Sequence, residues 1–184
     1  MEPDQLFFAT ESCTRETQVR ELPADYQAEF WAPRGGRLRP SGLGWMPFVV
    51  WSVVFHHGRI FRNRGYQLLL IRKEGKVVHR SCIFPGYFRF PFMTAGDLQV
   101  GDTWTAPEER GKGLAGWGLA AIIQRLAAPG TTVWYLCDEG NAASAAVARK
   151  AGMKLVGRGV RTRRFGVNLL GKFEIVDCNP AQNP

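Results

Sequence analysis

No two of the four cysteines (Cys13, Cys82, Cys137, Cys178) stand at C-x-x-C spacing, and no histidine lies near enough in sequence to complete a zinc site. A metal centre and a disulfide framework are therefore not expected. Cys82 and Cys137 sit in apolar runs and read as buried thiols. No apolar leader is expected, since the N-terminus (MEPDQLFF) is acidic. The longest apolar run, Trp45 to Phe55, falls short of the ~20 residues that a membrane helix needs. The 21 glycines follow no G-X-Y period, which excludes collagen, and no internal repeat or low-complexity tract occurs. A cytoplasmic protein is the expectation.

What the chain does have is apolar and basic. It has 184 residues, of which 45% are hydrophobic, with 6 Trp and 12 Phe. That supports one core and excludes disorder of the whole chain. The net charge of +8 favours an anionic partner. The excess is mostly Arg, scattered along the chain rather than gathered into an arm.

Residues 1–16 show no period and are expected to be loose. Tyr26 to Ala32 reads as a strand, 33–44 as a Gly- and Pro-rich loop, and Trp45 to Arg64 as one partly buried helix. Two strands, Tyr66 to Arg72 and Lys76 to Phe84, flank the turn Lys73-Glu74-Gly75. Pro85 to Ala95 is an aromatic loop. Strand Asp97 to Thr105 precedes a Gly- and Ala-rich helix, Lys112 to Ala128, whose small residues imply close packing. A strand from Thr131 to Cys137 and a helix from Asn141 to Ala151 follow. Two last strands, near 154–165 and 167–176, pair around Gly166, and the tail frays.

Thr105 to Gly116 (TAPEERGKGLAG) carries most of the signal. A strand end, a charged turn, a glycine loop and a helix start make an anion cradle. The P-loop pattern fails: Ala106 replaces its first Gly and Gly113 its Ser or Thr. G-x-G-x-x-G matches at Gly111, Gly113 and Gly116, with Asp138 and Glu139 downstream where a ribose-binding acid would stand. An NAD-type dinucleotide enzyme is therefore a rival reading. Against it, five residues separate strand from fingerprint, and few βα units remain.

R-x-x-G-x-A at Arg110, Gly113 and Ala115 resembles the GNAT superfamily of acyl-CoA-dependent N-acetyltransferases. Asn141-Ala-Ala-Ser144 and Lys150-Ala-Gly152-Met153 resemble that family's next motif. The likeness runs over 66–176. It implies a single α/β domain with a mixed, mostly antiparallel sheet of six to seven strands flanked by helices. It also implies acetyl-CoA or another acyl-CoA as co-substrate, with no metal. By position, the stretch Gly111, Lys112, Gly113, Leu114, Ala115 would hold the diphosphate, shaped by Arg110. Trp104 and Thr105 would pair with the pantetheine arm, and Asn141 and Ser144 would contact it. The family's general-acid Tyr is replaced by Ala148, so a water, Tyr135 or Ser144 would substitute.

Two residues are candidates for the base that an amine acceptor needs. Asp102 shares a strand face with Trp104; it could instead bond loop amides. His79 titrates near neutral pH; it could instead be a satisfied core residue. Glu108 and Glu109 read as a solvated turn. The loop PGYFRFPFM offers aromatic faces, and its Arg89 could meet phosphate; the same Phe cluster could instead be core. A His-bearing strand, an F-P-F-M loop and D-x-x-x-G-D-x-W-T resemble GNAT-like proteins of bacterial polysaccharide synthesis, which implies an amino-sugar acceptor. Nucleic acid is disfavoured as a partner and a homodimer stays open. The non-enzymatic alternative is a CoA- or nucleic-acid-binding module.

Overall fold

The computed structural model describes residues 4–10, 20–34, 38–126, 128–163 and 171–178. Among these residues eight strands form one sheet: β1 (Gln5–Ala9), β2 (Tyr26–Trp31), β3 (Gln67–Lys73), β4 (Lys76–Pro85), β5 (Leu98–Thr105), β6 (Val133–Asp138), β7 (Lys154–Arg161) and β8 (Phe173–Cys178). Their order is β2-β3-β4-β5-β6-β1-β7-β8. Among the described residues only β5 and β6 run parallel; every other neighbouring pair is antiparallel. One parallel pair is incompatible with a doubly wound dinucleotide fold, so the NAD-type rival falls here.

The eighth strand is β1, from a segment expected to be loose. It lies between β6 and β7, and all five of its residues are buried. Two antiparallel neighbours satisfy its amides and carbonyls on both sides. The turn at Gly166 lies outside the described residues, as does the tail beyond Cys178.

The run Leu68 to Ile71 is buried on both faces of β3. Each such side chain contributes roughly 1.5–3 kcal/mol. One face of the sheet packs under α2 (Leu114–Leu126) and α3 (Ala142–Lys150), through Leu69, Ile83, Val100, Leu119 and Ile122. The other face carries an aromatic layer that includes Phe48, Tyr66, Phe84, Tyr87 and Phe90. The close packing expected of the small-residue helix is seen at Gly118. A Cβ there would stand 3.0 Å from His79 Nε2 and 3.1 Å from Leu69.

The single helix expected over 45–64 is shorter and changes type. It comprises α1 (Trp45–Val50) and then a π-helical turn, Trp51–His57. Pro47 is tolerated in the first turn, where no amide partner is lost. The wider winding shows in Gly58 N–H to Val53 O (2.9 Å) and Ile60 N–H to Phe55 O (3.0 Å). It leaves Phe48, Ser52 and His56 buried in one line.

Candidate active site

β5 and β6 pair over three residues each, Leu98 to Val100 with Val133 to Tyr135. Beyond that their ends part around a cavity of about 330 Å3. Its walls include Asp102 and Thr103 from β5, Tyr135 and Asp138 from β6, and Asn141 and Ser144 from the start of α3. The register of β4 against β5 slips between Arg80 and Cys82. Asp102, at φ +46°, takes up the extra residue. Its carboxylate meets Arg80 at 3.2 Å and accepts from the Cys82 thiol at 3.5 Å. Arg80 also lies 5.7 Å over the Trp104 ring, so Asp102 and Trp104 share a face through it.

After β5 comes a 3-10 turn, Pro107–Glu109, then the glycine loop, then α2. Gly111 and Gly113 have φ of +78° and +82°, which glycine adopts without steric cost. A Cβ at Gly111, Gly113 or Gly116 would meet nothing within 4 Å, so the loop backbone is open to a guest. A second cavity, about 850 Å3, adjoins this loop and is lined by Arg20, Lys112, Gly113, Gly116, Trp117 and Lys150 among others. Leu114 lies at the foot of α2 and is buried, while Ala115 is half-buried beside it. Arg110 is exposed and braces the strand end, donating from Nε to the Thr105 carbonyl at 3.2 Å.

Glu109 corrects the expectation of a solvated turn. It is buried, accepts from the Tyr26 hydroxyl at 2.6 Å, and pairs with Lys112 at 2.8 Å and Lys73 at 3.5 Å. Hydrogen bonds from Lys112 and then Tyr26 hold its pKa down at about 2. Part of the Lys112 charge is therefore balanced within the protein.

His79 and Asp102 are not brought together. His79 is fully buried under α2; Nδ1 lies 2.8 Å from the Thr105 hydroxyl and Nε2 lies 3.1 Å from that of Ser81. Burial lowers its pKa to about 4, so the ring is neutral. It lines neither cavity. The core reading of His79 thus has the geometry, and the base candidate at the cavity is Asp102.

Asn141 Oδ1 caps α3 by accepting from Ser144 N–H at 3.0 Å, and the residue lines the cavity. Burial raises the Tyr135 phenol pKa, against which the neighbouring Ser144 side chain works. Ala148, at the family's Tyr position, is fully buried in the α2–α3 core and has no hydroxyl.

Gln5 was invisible to sequence reasoning. It lines the cavity and donates to Asp138 at 2.6 Å. The short apolar run after MEPD was the only signal. The aromatic loop is chiefly core: Tyr87, Phe90 and Met93 are buried, and Phe92 meets Phe7 and Trp134. Phe90 stacks on Phe173 at 5.4 Å, and both reach the cavity. Arg89 donates to the Gly171 carbonyl and lies over Phe173. Cys82 and Cys137 are buried free thiols. Among the described residues, no group of three or more His, Cys, Asp or Glu is placed to hold a metal ion. No helix there is long and apolar enough to cross a membrane.

A parallel pair that splays beside a glycine loop, within a mostly antiparallel sheet, defines the GNAT fold class. The profile of the acetyltransferase (GNAT) domain matches residues 48–154, more than half of the chain, and the chain belongs to this family. Its fold is similar to that of a GCN5-related N-acetyltransferase from Sphaerobacter thermophilus (TM-score 0.58, 19% identity, covering 84% of this chain and 49% of that one). It is also similar to a GNAT-family acetyltransferase from Colwellia psychrerythraea (0.55, 14%, 85% and 54%). A third similar structure is a tandem GNAT protein from the clavulanic acid biosynthesis pathway (0.55, 16%, 83% and 50%). The chain spans about half the length of these structures. No curated protein matches its sequence.

Proposed function

We propose that this protein moves an acetyl or other short acyl group from acyl-CoA to a primary amine, with an amino-sugar as preferred acceptor. The observation that carries this reading is the parting of β5 and β6 around a cavity lined by Asp102, Tyr135, Asn141 and Ser144. The second cavity, beside the open backbone of Gly111 and Gly113, suits the diphosphate and nucleotide end of the same molecule. Lys112 and Lys150 supply positive charge there.

Bound acyl-CoA would supply the activated acyl carbon, to which the amine nitrogen bonds as the carbon–sulfur bond breaks. An ammonium must first lose a proton, and Asp102 is the carboxylate at the cavity wall with a cationic neighbour to orient it. The Tyr135 phenol stays protonated at neutral pH and stands in for the tyrosine absent at Ala148. It would give its proton to the departing thiolate. The amino-sugar preference rests on the likeness of motif order and on the ring faces of Phe90 and Phe173 in the cavity.

Thermal-shift titration with acetyl-CoA, CoA, NAD and ADP in parallel tests the reading. A ligand at ~100 times its Kd adds about 2.7 kcal/mol, a shift of several degrees. Acetyl-CoA and CoA are expected to stabilise well beyond ADP and NAD. A free-thiol assay over an amine panel that includes nucleotide-linked amino-sugars then finds the acceptor. CoA binding with no thiol release for any amine would leave a non-catalytic CoA-binding module.

A further inference from the structure

We infer that the outer face of the α1–π-helical element docks on an anionic lipid surface. Residues Trp45–His57 form a helix that is apolar on two sides. Its inner line packs into the aromatic layer: Phe48 is buried there, while Trp51 and Phe55 stack among Phe61, Phe84 and Tyr87. Its outer line is apolar as well. Val50, Val53 and Val54 are 40%, 43% and 47% exposed, and Ile60 beyond the helix is 40% exposed. A helix that is hydrophobic all round is normally covered all round.

Charge selects the cover. Between Glu29 and Glu74 there are 44 residues with eight Arg or Lys and no acid. The stretch between Glu139 and Glu174 likewise has eight Arg or Lys and no acid, so the charge excess falls in two acid-free stretches, and this helix stands in one of them. Of the basic residues in the helix's own stretch, Arg72 and Lys73 are engaged by Glu29, Asp25 and Glu109. Arg62 donates to the Met93 carbonyl, while Arg59 and Arg64 follow the helix directly and are exposed. The Arg64 charge reaches the helix end: after burial and His57, it is what lowers the pKa of His56. A convex valine face beside a basic rim matches the interface of an anionic bilayer, where aliphatic side chains enter the headgroup boundary and guanidinium groups meet phosphate. Nucleic acid would use the arginines and leave the valines bare. The surface lies on the Asp102 side of the sheet, since Arg80, which holds Asp102, also sits 5.6 Å over Phe48.

The test is sedimentation with phosphatidylcholine vesicles, pure or with about a third phosphatidylglycerol. The full chain is expected to pellet with the anionic vesicles only, less so as salt rises. Val53→Asp/Val54→Asp is expected to weaken this at least ~10-fold, with the acetyl-CoA thermal shift and circular dichroism unchanged. Arg59→Gln/Arg64→Gln should weaken it too and guards against a misfolded valine variant. Absence of binding to anionic vesicles would overturn the inference, as would binding that the valine change leaves intact. So would a solution dimer that the valine change dissociates, since a second copy would then be the cover. Failure here leaves the acyl-CoA reading standing, because that reading is tested separately, by ligand stabilisation and thiol release.

Discussion

At Asp102 the backbone enters the left-handed region, which Asp and Asn tolerate better than other L-residues. Asp102→Asn therefore removes the charge and keeps the conformation. If Asp102 is the base, turnover should fall about 100-fold or more while acetyl-CoA affinity stays within about threefold. Steady-state kinetics across pH, with a parallel binding titration, checks this; unchanged turnover would remove Asp102 from the mechanism. Other residues were less legible. Alternation placed Asp102 with Trp104 because that relation is local. Glu109 was misread because its partners Tyr26 and Lys73 come from strands far away in sequence. His79 kept two readings open in the sequence, and its seat between the Thr105 and Ser81 hydroxyls depends on strand pairing that no local pattern shows.

At the scale of elements, the glycine loop was legible because a local backbone need fixes its composition. Gly113 sits at φ +82° with open space beyond it. Gly113→Asp would put a carboxylate beside the amides proposed to hold the diphosphate and add roughly 1–2 kcal/mol of backbone strain. Acetyl-CoA binding should fall more than ~10-fold in a variant whose circular dichroism is unchanged. Unchanged affinity in that folded variant would sink the loop assignment. Two elements were not legible. β1 is five buried residues without alternation, and only its place between β6 and β7 makes it a strand. The π-helical turn reads as ordinary helix because periods of 3.6 and about 4.4 cannot be told apart over seven residues.

At the scale of the whole molecule, buried Glu109 and His79 titrate in different parts of the acid range. Glu109 has its pKa depressed to about 2, so its contribution is full above the ordinary 4.5 and is lost as pH falls from there through 2. His79 has its pKa depressed from 6.5 to about 4. Above pH 6.5 the ring is neutral folded and unfolded. Below it the unfolded chain binds a proton that the folded protein refuses until about pH 4, so stability falls through that window. Between pH 7 and pH 5 the loss from His79 is about 2 kcal/mol. His56, also depressed, adds a loss of the same sign. Denaturant unfolding at both pH values should show this loss in the wild type. His79→Gln retains a side chain able to bond Thr105 and Ser81 but does not titrate. It should be less stable at pH 7 and lose clearly less between pH 7 and pH 5. Equal losses in the two proteins would mean that His79 is reached by solvent in the folded state. The close seat of Gly118 on the ring would then have to open, and the tight packing of α2 on β4, which carries the glycine loop at its foot, would have to be given up.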